Sequence, residues 1–218
     1  SRGLGDVYKR QRETGLTISN IVLMGMGEPL DNYESVLRFL HLVSCEEGMC
    51  IGMRHISLST CGLVDQIDRL AKEKLQLTLS VSLHAPNDII RNQTMPVNRK
   101  WNVESLLQAC RRYAEATHRR ISFEYAMIRG VNDSDACAHE LGKKLSGMLC
   151  HVNLIPVNDV TGAGYHKSTL ERQQSFIRIL QHYGITATVR RTLGSDIDAS
   201  CGQLRRRYEK EAADENSL

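Results

Sequence analysis

The chain has 218 residues, 41% apolar and 24% charged, with a formal net charge of +3. This is enough chain for one sizeable domain of ordinary soluble composition, and so small a charge neither requires nor excludes a nucleic-acid partner. No apolar run nears the ~18 residues of a membrane span, and the opening SRGLGDVYKRQ has no apolar core of a signal peptide. Seven cysteines, odd in number and widely spaced, argue against a secreted disulfide framework and for a reducing, cytoplasmic setting. No C-x-x-C pair is present, and Cys45 and Cys50 form a C-x4-C without a partner pair, so there is no local zinc signature.

In chain order, residues 1–11 show no clear period and are expected to be a leader outside the domain. Six short runs rich in Val, Ile and Leu then read as strands: NIVLMG (20–25), HISLST (55–60), LTLSVSLH (77–84), ISFEYAMI (121–128), HVNLIPV (151–157) and TATVRRT (186–192). Several are nearly continuous, which suits strands buried on both faces. Helical patterns lie between them. In NYESVLRFLHLV, Asn32 is placed to cap a stripe of Tyr33, Val36, Leu37 and Leu40. Residues 63–75 give a shorter helix. In NVESLLQACRRYAEA, Asn102 precedes a stripe of Val103, Leu106, Leu107, Cys110 and Tyr113. Residues 135–145 give another short helix. In STLERQQSFIRILQHYG, Leu170, Ile177, Leu180 and Tyr183 share a face before Gly184. Strand followed by helix, about every 30 residues, predicts an α/β fold with a parallel sheet and right-handed crossovers. Residues 205–218 read as a charged tail.

Parallel α/β folds bind ligands at the carboxyl edge of the strands. The segments at that edge are GMGEP (25–29), STCG (59–62), SLHAPND (82–88), RGVND (129–133), PVND (156–159) and RTLGSDIDASCG (191–202). Nearly all pair Gly or Pro with a hydrogen-bonding side chain, and six in register point to one site, although the same residues also favour plain turns. Gly25 and Gly27 allow close backbone approach to a ligand, and Glu28 can hold an ammonium group. His84, taken by itself, reads as a satisfied strand-end histidine. Cys201 reads either as a small buried hydrophobe or, given Asp196, Asp198, Ser200 and Gly202 around it, as an accessible loop thiol. A dinucleotide-binding reading of Gly25-x-Gly27 fails at the third glycine, where Leu30 stands, and Glu46 and Glu47 fall on a helix end instead of a second strand.

Taken in order, MGMGEPLDN, LSTCG, SLHAPND, FEYAMIRGVND, NLIPVN and DIDASCGQL closely resemble the RlmN-type radical S-adenosylmethionine (SAM) enzymes that methylate C2 of adenine in RNA. The resemblance implies a partial (β/α)6 TIM-like barrel, residues 12–204 forming its C-terminal part, with SAM across the carboxyl edge. It places Gly27, Glu28, Ser59, Ser82, Leu83, His84 and Asn158 around SAM and makes Cys201 the methyl carrier. In that family SAM first methylates the cysteine sulfur. A second SAM, cleaved reductively at a [4Fe–4S] cluster, gives a radical that activates the S-methyl group toward adenine C2. A second cysteine then releases the product and leaves a disulfide. The detour has a chemical reason: adenine C2 is too poor a nucleophile for direct methyl transfer, whereas a thiolate is a good one.

The resemblance further implies 23S rRNA and tRNA as partners, an electron donor of flavodoxin or ferredoxin type, and a monomeric enzyme. Arg190, Arg191, Arg205, Arg206 and Arg207 flank the Cys201 loop, where they can meet RNA phosphates or simply form a solvated basic end. One departure stands out. The family's C-x3-C-x2-C cluster loop is absent from the sequence. The resolving cysteine, the upstream glutamate base and the N-terminal RNA-binding domain are unmatched as well. The expectation is therefore a barrel without its first strand and cluster loop, inactive by itself. Two other functional readings remain at this point: a related branch methylating C8 of the same adenine, and a non-catalytic SAM- or RNA-binding remnant.

Overall fold

Each of the six apolar runs forms a strand in the computed structural model, which describes residues 2–25, 27–157 and 165–190. The strands are β1 (Ile21–Leu23), β2 (Ile56–Thr60), β3 (Thr78–Ser82), β4 (Ile121–Met127), β5 (Cys150–Pro156) and β6 (Thr186–Val189). They pair in sequence order, every pair parallel, as one six-stranded open sheet. An all-parallel sheet needs crossovers, and the helices supply them: α2 (Tyr33–Ser44), α3 (Val64–Lys72), α5 (Val103–Thr117), α6 (Asp135–Leu145) and α7 (Leu170–His182).

Local signals explain most helix ends. Asn102, Ser134 and Thr169 each accept a backbone N–H of the first turn of α5, α6 and α7, the arrangement that satisfies otherwise orphaned donors. Two sequence-based expectations are corrected. Asn32 makes no side-chain cap; instead Glu28 Oε1 accepts from Leu30 N at 3.1 Å and caps the 3-10 turn Pro29–Asn32 that leads into α2. Leu170 is 73% exposed, and α7 buries Gln173, Phe176 and Leu180. Leu170 sits in the first helical position, before the helix has turned toward the sheet.

Two helices were not expected. The first, α1 (Arg2–Thr14), carries the exposed ion pairs Lys9–Glu13 at 3.8 Å and Arg10–Glu13 at 3.9 Å. Its polar composition leaves no apolar stripe to read. The second, α4 (Asp88–Thr94), is capped by Asn87, whose Oδ1 accepts from Ile90 N at 3.1 Å. Seven residues are too few to show a period, and its buried residue is an arginine.

The main core lies between the sheet and the helices. Leu58, Leu79, Val81, Phe123, Tyr125, Val152 and Leu154 are completely buried on the helix side of the strands, with Ile67, Leu106, Leu141, Phe176 and Leu180 facing them. The Tyr125 and Phe176 rings lie 5.2 Å apart, inclined at 45°. The expectation of strands buried on both faces holds at the centre of the sheet, where Ser80 and Glu124 are buried, but the alternate residues, on the inner wall of the open barrel, are mostly polar. No helix among the described residues is long and apolar enough to cross a membrane.

Candidate SAM-binding edge

The inner wall follows from the strand register. Ser57 pairs with Thr78, Ser59 with Ser80, Ser80 with Ser122, Ser82 with Glu124, Ser122 with His151, Glu124 with Asn153, and Asn153 with Thr188. Neighbours in register share a face, so this wall is a lattice of hydroxyls, one carboxylate, one amide and one imidazole. Its members bond to one another: Ser57 to Ser80 at 3.3 Å, Ser122 Oγ and Asn153 Nδ2 to Glu124 at 3.0 and 2.8 Å, and His151 Nε2 to Thr188 Oγ1 at 2.8 Å. A filled eight-stranded barrel packs layers of Val, Ile and Leu here; this one presents polar groups suited to a polar ligand.

At the carboxyl edge of the wall, hydrogen bonds run from strand to strand. Glu28, just after β1, accepts Leu30 N through Oε1 and Cys61 N through Oε2, the latter at 2.6 Å. That carboxylate joins the loops after β1 and β2, and among the described residues it accepts no other backbone N–H. Burial, then the nearby Glu28 carboxylate, pushes the Cys61 thiol up to about 12, so it stays protonated. Gly27 has φ +97, with open space where a Cβ would stand, and Gly62 has φ +106. A Cβ on Gly62 would lie 3.0 Å from both Leu106 methyls, so the positive φ favours glycine here and a side chain would also push Leu106 aside.

After β3 the chain bends sharply. His84 has φ 57, a left-handed conformation that is costly for a residue with a Cβ. Surrounding bonds hold it there. Leu83 N and His84 N both donate to Glu124 O, at 3.1 and 3.2 Å, and Asn132 Nδ2 donates to His84 O at 2.8 Å. Ala126 N donates to His84 Nδ1 at 3.0 Å. Nδ1 is therefore the acceptor, and the proton sits on Nε2, whose N–H meets no acceptor among the described residues. Burial, with the Arg91 charge adding to it, lowers the His84 pKa to about 4, so the ring is neutral near pH 7. The hydroxyls of Ser59 and Ser82 also have no partner among the described residues. The Leu83 side chain lies in the core, completely buried, so its contribution to the edge is made by its backbone.

Three contributors were not singled out from sequence. Arg91, in α4, is completely buried and reaches under the loops after β2 and β3. Asn132 is 1% exposed and, besides His84 O, donates to Ala126 O at 2.7 Å and accepts Ile128 N at 2.7 Å, locking the RGVND turn. Glu124 is the carboxylate in the middle of the inner wall. Only Asn132 had a usable signal, the Gly-x-Asn-Asp turn pattern. Arg190, at the end of β6, is exposed, and its backbone N–H donates to Leu154 O. Asn158, Arg191, Cys201, Arg205, Arg206 and Arg207 lie outside the described residues.

This edge can hold a zwitterionic, hydroxyl-rich ligand: a carboxylate for an ammonium, small hydroxyls, and one neutral N–H donor. Residues 5–140 match the family model for the Radical SAM superfamily. The chain belongs to the radical SAM superfamily. It is 55% identical over 207 residues to a Clostridium tetani protein named "Probable dual-specificity RNA methyltransferase RlmN", covering 95% of this chain and 59% of that protein. An Alkaliphilus oremlandii protein of the same name is 54% identical over 205 residues, covering 94% of this chain and 60% of the relative. The chain thus spans about three fifths of the length of the curated relatives it matches. A crystal structure of a radical SAM methyltransferase from Sphaerobacter thermophilus superposes with TM-score 0.84 at 53% identity, over 89% of this chain and 57% of that one. A domain of a pyruvate-formate lyase-activating enzyme from Bacteroides vulgatus shares the fold, with TM-score 0.62 at 22% identity, over 80% of this chain and 100% of that domain.

The superfamily implies SAM and a [4Fe–4S] cluster, and the two fit this chain differently. SAM fits the donor set of the edge. The cluster does not fit the described residues: none of their His, Cys, Asp and Glu side chains gather in threes to hold a metal, and the sequence has no C-x3-C-x2-C.

Proposed function

We propose that this chain forms the SAM-binding part of a radical SAM RNA methyltransferase that makes 2-methyladenine in 23S rRNA and tRNA, through a methylated Cys201. The observation that supports it most is the bonded edge itself: Glu28, Ser59, Ser82 and His84 offer complementary polar groups at three neighbouring strand ends, in a chain 54–55% identical to proteins named for that activity.

When bound, SAM supplies an activated methyl group. Glu28 takes the ammonium of its methionine moiety, with the backbone at Gly27 close beside it because no Cβ intervenes. Ser59 and Ser82 offer hydroxyls, and His84 donates from Nε2. Asn158 completes the pocket, and Leu83 acts through its main chain. Cys201 accepts the methyl group as a thiolate. Arg190, with Arg191, Arg205, Arg206 and Arg207, meets RNA phosphates that position the target base. The adenine has to be presented unpaired or extruded for its C2 to be reached. The cluster and its electron donor, of flavodoxin or ferredoxin type, belong to the full-length, monomeric cytoplasmic enzyme.

Titration calorimetry of the 218-residue chain with SAM tests the binding reading. Binding is expected, weakened about tenfold or more in Glu28→Gln and His84→Ala. No binding, or undiminished binding by both variants, overturns it. For the chemistry, the chain with SAM, a reductant and RNA is expected to yield no methylated adenine. Fused behind the upstream segment of the Clostridium tetani relative, it is expected to methylate C2, and Cys201→Ala to abolish that product.

A further inference from the structure

Arg91 is 0% exposed, and among the described residues its guanidinium has no carboxylate partner. Buried arginines are ordinarily paired with an acid, because an isolated buried charge is costly. Here every acceptor is neutral. Nη2 donates to Cys61 O at 2.7 Å and to Ser82 O at 3.1 Å; Nε donates to Leu83 O at 3.0 Å; Nη1 donates to Asn98 Oδ1 at 3.0 Å. Three of the four acceptors are main-chain carbonyls at the carboxyl ends of β2 and β3. The fourth, Asn98, is itself held: its Nδ2 donates to Asp88 Oδ1 and Asn92 Oδ1, both at 2.9 Å.

A planar fork with fixed donor directions sets the relative position of everything it bonds, which an ammonium on a flexible stem cannot do. The carbonyls it fixes belong to the segments that carry Ser59 and Ser82–His84. Cys61, whose carbonyl takes Nη2, gives its own N–H to Glu28. Arg91 is thus the link between the Glu28 side of the edge and the His84 side. Core packing alone would not choose this residue: an apolar side chain of similar volume would fill the space and leave the carbonyls of Cys61, Ser82 and Leu83 unpaired.

We infer that Arg91 is a positioning residue for SAM: it contacts no ligand itself, and it sets the spacing between the loop after β2 and the Ser82–His84 segment that together receive the cofactor. The inference rests on the SAM reading above. It goes further in making the spacing of the two loops, and not only their side chains, a determinant of affinity.

The test uses the 218-residue chain with S-adenosylhomocysteine as the probe. Arg91→Lys keeps the charge and removes the fork; Asn98→Ala loosens the fork from one side and spares the guanidinium; Leu180→Ala is a control that lowers stability in the core under α7. Calorimetric Kd, melting temperature and amide NMR shifts are read for each. The expected result is about a tenfold or greater loss of affinity in Arg91→Lys and about threefold in Asn98→Ala, with shifts at Cys61, Gly62, Leu83 and His84. Leu180→Ala should bind within about twofold of the parent while melting lower. Affinity that merely follows melting temperature across all three variants overturns the inference. So does unchanged affinity in Asn98→Ala should Arg91→Lys not fold. A parent chain that fails to bind the probe defeats the SAM reading instead. The amide shifts then still decide the positioning role, because variants that leave both loops unshifted overturn it.

Discussion

The two faces of this sheet are built from alternate residues of the same strands and have opposite chemistry. On β4, Phe123 and Tyr125 face the helices and are completely buried; Ser122 and Glu124, one residue away, face the open barrel and bond to each other. On β5, Val152 and Leu154 pack beneath the helices, while His151 and Asn153 bond across the inner wall. The helix side removes apolar surface from water and carries stability. The inner wall does neither to any great extent. The strand alternation lets one segment serve both tasks, because a change on one face is separated from the other by the sheet itself.

The largest expected effect comes from the helix side. Phe123→Ala removes a completely buried ring and should cost about 3–5 kcal/mol in urea denaturation. A loss below about 1 kcal/mol would mean that this face is not the main core.

The next concerns acid stability at the edge. His84 is neutral in the fold with its pKa lowered to about 4, whereas an unfolded histidine titrates near ~6.5. Between those values the unfolded chain binds more protons, so stability rises with pH across the window and is lost as pH falls through it. The His84 share is up to about 3 kcal/mol. His84→Asn keeps an acceptor for Ala126 N and tolerates a positive φ, and it should flatten this part of the stability–pH curve. Curves that stay parallel from about pH 6.5 to 4 would show that His84 is not the group responsible.

The smallest effects belong to the middle of the inner wall. Glu124→Gln keeps one acceptor oxygen and should cost about 1 kcal/mol, and Ser57→Ala should stay within about 0.5 kcal/mol. A loss from either as large as that from Phe123→Ala would erase the distinction between the faces.

Much of this was legible beforehand. The six strands, the crossover helices and the polar segments at one edge could all be read because local apolar runs, caps and turn residues report local structure. The parts that escaped had no local signature. Arg91, in the run DIIRNQT, looks like one solvated charge on a short polar helix, and only its burial shows otherwise. Leu170 looks like a core residue because its stripe has the right spacing, but the helix had yet to meet the sheet. Ser80, on the inner wall, lies hidden in LTLSVSLH, where the apolar neighbours dominate the pattern.

By itself, the sequence determined the element order, the parallel sheet, the carboxyl-edge loops and the family resemblance, because each is encoded in short runs whose physics needs no distant partner. Tertiary structure decided which alternate residues became the inner wall, since the register of six strands sets the faces together. It also decided the tautomer and neutrality of His84, which depend on Ala126, 42 positions away in sequence. The role of Arg91 was decided the same way, because its four acceptors come from three separate segments that only the fold brings within reach of one guanidinium.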